Sequence, residues 1–124
     1  MEAKTLIEIA KITVLMVVID SLYLFFIKNR YGQMIANIQK SPMNVKICGA
    51  VLSYSMVVAG FYIFGYRENL SATKTFLLGF IMYGLYETTS YALFDNWEIW
   101  ALIIDSLWGG LLYLLTKIVL DRFL

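Results

Sequence analysis

Three carboxylic acids stand inside long apolar runs of this 124-residue chain: Asp20, Glu87 and Asp105. Acids so placed could bind protons or a hard cation, conduct either, or pair as general acid and base. Two of them belong to an echo: Ile19-Asp20-Ser21-Leu22-Tyr23 returns as Ile104-Asp105-Ser106-Leu107-Trp108. Ser21, Ser53, Tyr54, Tyr83, Thr89, Ser90, Ser106 and Trp108 form the expected supporting polar shell, with oxygen ligands or hydrogen bonds to offer. The chain has no histidine and one cysteine. That excludes a Cys/His nucleophile and a zinc site, and Cys48 has no partner for an intrachain disulfide; it reads as a small residue near the end of a span. Oxygen-only surroundings suit protons, alkali ions, Mg²⁺ or Ca²⁺. Two acids at a shared depth do not make a hydrolase, so no catalytic residue is assigned and the chain is not read as an enzyme.

The elements that must position these acids are membrane helices. A hydrophobic fraction of 60% exceeds what a soluble domain of this size can hide. A spanning helix needs about 20 mostly apolar residues, and runs at 5–27, 45–65, 74–94 and 98–119 meet that length. The expected fold is an all-α integral membrane bundle of four transmembrane helices, one domain over residues 1–124. The first apolar run is too long for a cleavable signal peptide and lacks a small-residue cleavage site after it. Between the first two spans, Tyr31, Met34, Ile35 and Ile38 recur at helical spacing against Gln33, Asn37 and Lys40. This pattern predicts a short interfacial helix ended by Ser41-Pro42, with an anchored loop as the alternative. A net charge of +1 offers no basic patch for nucleic acid.

Within the spans, Glu8 and Lys11 meet on one helical face, and Gly49, Ala50, Ser53 and Gly60 form a small-residue stripe for close packing. Ser71 or Thr73 could cap the third helix. The second half of that helix is polar, with Tyr83, Gly84, Glu87, Ser90 and Tyr91 on one face. A turn at Asp95-Asn96 leads to Trp97, Glu98 and Trp100, the composition of an aromatic belt. In the fourth span Ala101, Asp105, Trp108, Gly109 and Thr116 share a face. Four crossings put both termini on one side, here called side A. Six basic residues there (Lys4, Lys11, Arg67, Lys74, Lys117, Arg122) against four on side B (Lys28, Arg30, Lys40, Lys46) favour side A as cytoplasmic.

At about 1.5 Å rise per residue, Asp20, Glu87 and Asp105 each lie about 20 Å from side A, and Ser53 about 18 Å. Each acid near a span centre costs about 2.5 to 3.5 kcal/mol of insertion energy, while an apolar residue returns about 0.3 to 0.6. They must therefore face inward, and a bundle of four helices has one interior. No Lys or Arg is expected at that depth. Either some of these carboxyls carry protons, or a monovalent or divalent cation sits between them. A hydrogen-bonded network that only registers the helices, or a polar-substrate site, are the alternatives.

These residues resemble the family of small bacterial and large-DNA-virus membrane proteins filed as domain of unknown function twenty-one seventy-seven. The resemblance rests on Asp20, on Tyr54 with Gly60, on Tyr86-Glu87-Thr88-Thr89-Ser90, on Trp97, and on Asp105-Ser106-Leu107-Trp108-Gly109. It covers essentially the whole chain. Glu87 stands where the family pattern has aspartate, and Ser90 where it has asparagine. The resemblance implies a four-helix membrane protein and supplies no activity. Its viral members extend the expected location to a virion or host membrane. The expected partners are the lipid bilayer, copies of the same chain, or a membrane or capsid protein.

Overall fold

Ser41-Pro42 is the first strong stop after the chain enters a helix at Ala3. In the computed structural model, which describes residues 2–124, that helix, α1, runs unbroken over Ala3–Gln39. Gly32 inside it costs about 1 kcal/mol relative to Ala, too little to break a packed helix. The stop comes at Lys40, left-handed at φ 62°, whose N–H reaches back to the Ala36 carbonyl; proline follows two residues later, where the helix cannot continue. The separate interfacial helix expected between the first two spans is therefore corrected: residues 28–39 are the last turns of α1. The polar residues that follow the first apolar run, Gln33 and Asn37 among them, are all compatible with a continuing helix. Thirty-seven residues make a rod of about 55 Å, against about 30 Å of hydrocarbon.

The remaining elements are α2 (Ile47–Gly60), α3 (Ala72–Leu93) and α4 (Ile99–Phe123). α2 continues without a gap into a π-helical segment, Phe61–Arg67. Ser71 caps α3, its hydroxyl accepting the Lys74 N–H at 3.2 Å. Asp95-Asn96 forms the tight turn into α4. Three helical stretches are long and apolar enough to cross a membrane: Ala3–Gln39, Ile47–Arg67 and Ile99–Phe123. α3 has the length at 22 residues, but its polar second half lowers its hydropathy.

Glycines set the closest helix crossing. A Cβ on Gly79 would overlap the Gly109 carbonyl oxygen, and one on Gly109 would overlap the Tyr83 side chain. α3 and α4 thus pack backbone to backbone, as small residues allow between membrane helices. α1 lies on α4, and one core cluster of Ile12, Met16, Val58, Phe61, Leu112 and Tyr113 joins α1, α2, the π segment and α4. A second cluster, Met34, Trp97 and Ala101, holds the far end. Tyr31, Ile35 and Ile38 of α1 pack there with Trp100 around Met34, Trp97 and Ala101, so the apolar stripe of residues 31–38 faces protein. α2 is the loosest element and leaves most of its surface uncovered.

The π segment has a visible cause. Tyr113 of α4 donates its hydroxyl to the Val57 carbonyl at 2.6 Å. That carbonyl would otherwise serve Phe61 alone, whose N–H is shared between the Val57 and Val58 oxygens. The Tyr113 hydroxyl thus loads this ladder carbonyl with a second donor, at the residue where the π register begins, Phe61.

Candidate functional site: a carboxyl and aromatic ladder

The helix pairing fixes the levels of the acids. α1 and α4 run antiparallel, with residue 20 facing residue 108 and residue 23 facing residue 105. Asp105 therefore lies about 4 to 5 Å nearer the Trp97 end of the bundle than Asp20. Gly84 of α3 faces Ser106, so Glu87, three residues on, is nearer that end again. The acids expected at about one depth stand as a ladder of three steps along the helices. Counting from span ends carried errors of a few residues, and those errors concealed the stagger.

Each acid is held by aromatic donors. The Trp108 indole N–H donates to Asp20 Oδ1 at 2.8 Å. The Tyr23 hydroxyl donates to Asp105 Oδ1 at 2.9 Å. Glu87 takes two bonds, from the Tyr31 hydroxyl to Oε2 at 2.7 Å and from the Trp97 indole to Oε1 at 3.0 Å. Glu87 is 0% exposed and Asp20 7%, while Asp105 is half-buried. The Glu87 and Asp105 carboxyls adjoin. No Lys or Arg joins any of these contacts: buried Lys117 donates instead to Asn69 Oδ1 at 3.0 Å and pairs with exposed Asp121. Hydrogen bonds to a charged or partly charged group contribute about 1.5–3 kcal/mol each, and here every bond joins two separate parts of the fold.

The expected polar shell divides. Trp108 is a direct partner, and Ser90 and Ser106 are buried in the interior near the acids. Tyr83 is half-buried over Gly109. Tyr54 is half-buried beside α1, and its buried hydroxyl has no hydrogen-bond partner among the described residues. Ser21 and Ser53 are exposed and bond to carbonyls of their own helices, at Val17 and Ala50. Thr89 is exposed. Tyr23, Tyr31 and Trp97 are the partners that sequence reasoning missed. Trp97 read as an aromatic belt but is 5% exposed with its indole on Glu87. Tyr23 had a signal: it holds in the first echo the place that Trp108 holds in the second.

Among the described residues, no group of three or more His, Cys, Asp or Glu side chains is placed to hold a metal ion. Helices long and apolar enough to cross a bilayer, with acids buried among aromatic donors, define a helical integral membrane protein with a polar interior. The chain belongs to the family described as predicted membrane protein (DUF2177), which matches residues 5–119. No curated protein and no solved structure matches the chain.

Proposed function

We propose that this chain is a four-span membrane protein whose interior carboxyls bind protons, with Glu87 and Asp105 sharing one between them. The observation that carries the reading is that these carboxyls adjoin while their aromatic partners are all O–H or N–H donors. Two unit negative charges about 4 Å apart repel by about 4 kcal/mol at an effective dielectric of 20, and a shared proton removes that repulsion. A metal ion fits less well, because an indole N–H presents a hydrogen and no lone pair. Of the two chemistries the sequence left open, the geometry favours the proton over the cation.

The fourth crossing is α3. Its 22 residues reach about 33 Å, and the polar groups that lower its hydropathy include buried Glu87 and Ser90, which face protein and not lipid. Four crossings return both termini to side A, which the basic residues favour as cytoplasmic. Infrared spectroscopy of the protein in lipid tests the shared proton. A carbonyl-stretch band of a protonated carboxyl is expected at neutral pH and is lost in both Glu87→Gln and Asp105→Asn. Absence of the band from the wild type rejects the reading.

A rival role in assembly is favoured by one observation: each acid bond ties α1 to α4, α1 to α3, or α3 to the following turn, as a network that registers helices would. Flux into dye-loaded proteoliposomes under a pH gradient separates the two. Proton flux that Asp105→Asn abolishes marks a conducting ladder; equal flux from both chains, or none from either, leaves a structural network.

A further inference from the structure

Between α1 and α2 lies an apolar groove of about 930 Å³, from Thr5 and Arg67 at one end to Leu24 and Ile47 at the other. Nineteen residues of α1 separate those ends, a length of about 28 Å, and the volume falls in the range of small-molecule sites, about 300–1,000 Å³. Its polar groups are nearly all engaged within their own helices. Thr13, Ser21 and Ser55 donate to the carbonyls of Ile9, Val17 and Val51. Arg67 lies over the Tyr62 ring and donates to its hydroxyl. Two groups along the groove are left with capacity. Asp20, 7% exposed, takes the Trp108 indole on Oδ1 and no other hydrogen bond among the described residues. The Tyr54 hydroxyl is buried and unpartnered.

The geometry points to this groove as a binding site for an amphipathic amine, its protonated nitrogen held by Asp20 and Tyr54 and its apolar body lying between α1 and α2. An ammonium N–H donates to the free capacity of the Asp20 carboxylate and to the Tyr54 oxygen, and satisfies both. A lipid tail in the same place leaves the Asp20 carboxyl against hydrocarbon and the buried Tyr54 hydroxyl still unpartnered, which is unfavourable. The charge fits as well. The one cation on the groove wall, Arg67, is thirteen residues along the helix from Tyr54, about 20 Å away, and already engaged.

The test uses the full chain in nanodiscs with radiolabelled dodecylamine, empty discs subtracted, and dodecanol as the uncharged competitor. Saturable binding of one amine per chain is expected, with dodecanol failing to displace it. Asp20→Asn keeps an oxygen for Trp108 but loses the charge, and weakens binding by about tenfold or more. Val51→Trp fills the groove without touching the acids and has the same effect; Tyr54→Phe weakens binding by a few fold. Helical content by far-ultraviolet circular dichroism reports whether each variant remains folded. Equal displacement by dodecanol makes the groove a lipid-tail site, and unchanged binding in Asp20→Asn makes the uptake non-specific. Rapid cross-linking of two copies through Val51→Cys in a Cys48→Ala chain, with no saturable amine binding, assigns the groove to a second copy. Any of these three results overturns the proposal. None of them bears on the proton shared by Glu87 and Asp105, which the infrared band judges.

Discussion

Tyr23 and Trp108 stack face to face, centroids 4.7 Å apart and planes 7° from parallel, and each donates to the acid three residues before the other. The two helices exchange the same element, Asp-x-x-aromatic, in opposite directions. At i and i+3 the acid and the aromatic sit on one helical face, so two antiparallel copies can clasp reciprocally. The sequence echo is the one-dimensional trace of that clasp.

Removing either donor should leave a carboxyl oxygen of the clasp unsatisfied. Tyr23→Phe keeps the stacking ring and is expected to lower stability by about 1–3 kcal/mol through the lost hydrogen bond, while Trp108→Phe also trades the indole for a smaller ring and should cost at least as much. Because the two bonds share one stacked pair, the double variant should depart from additivity by about 0.5 kcal/mol or more. Denaturation of the four chains in detergent measures this, and additive losses would mean that the two bonds act independently.

Much of the fold was legible because hydrophobic run length and turn chemistry are local. Pro42, Ser71 and Asp95-Asn96 ended or began helices where expected. The length of α1 was not legible, because nothing within residues 28–39 shows that Met34 and Ile38 will meet Trp97 and Trp100 from the far end of the chain. For the site, the inward direction of the acids followed from the cost of exposing them to lipid. Of their partners, Trp108 was in the expected shell; Ser21 and Ser53 satisfy themselves on their own helices, and the other bonds to the acids come from Tyr23, Tyr31 and Trp97, side chains long enough to cross between elements.

The length of Glu87 matters for the same reason. Its two oxygens reach donors on different elements, Tyr31 on α1 and Trp97 in the turn before α4. Glu87→Asp, one methylene shorter, is expected to hold one donor and lose the other, at about 1–3 kcal/mol. Loss of Trp97 contact should appear as a shift in tryptophan emission that Trp97→Phe abolishes. Unchanged stability and emission would show that the backbone can move to compensate.

The α3 and α4 seam gives a graded test of packing. Gly79→Ala places a methyl against the Gly109 backbone, and Gly109→Ala places one against Tyr83; neither obstacle is a flexible chain end. Both should destabilise by about 1–3 kcal/mol or more. Gly84→Ala meets only the Ser106 side chain, Oγ at 3.5 Å and Cβ at 3.8 Å, ordinary contacts. It should be neutral, or stabilising by up to about 1 kcal/mol from helix propensity. Thermal denaturation of the three variants in one detergent ranks them, and equal losses at Gly79 and Gly84 would contradict the crossing described.

Gly60 and Tyr113 should be coupled through the cause of the π segment. A Cβ on Gly60 would lie 2.8 Å from the Tyr113 hydroxyl, and that hydroxyl is fixed by its 2.6 Å bond to the Val57 carbonyl. Gly60→Ala alone therefore drives a methyl into a tethered oxygen and is expected to destabilise by about 1–3 kcal/mol. Tyr113→Phe alone loses the hydroxyl bond, about 1 kcal/mol, and leaves the Val57 carbonyl to the Phe61 N–H, with which it already pairs. In the double variant the tethered oxygen is gone, and the nearest remaining atom is the Met82 sulfur at 3.2 Å, the flexible part of its side chain. The pair should be more stable than Gly60→Ala alone. Amide hydrogen exchange at residues 61–67 should slow in Tyr113→Phe if the segment returns to α-helical pairing; unchanged exchange, with no rescue in the double variant, would remove Tyr113 as the cause of the π register.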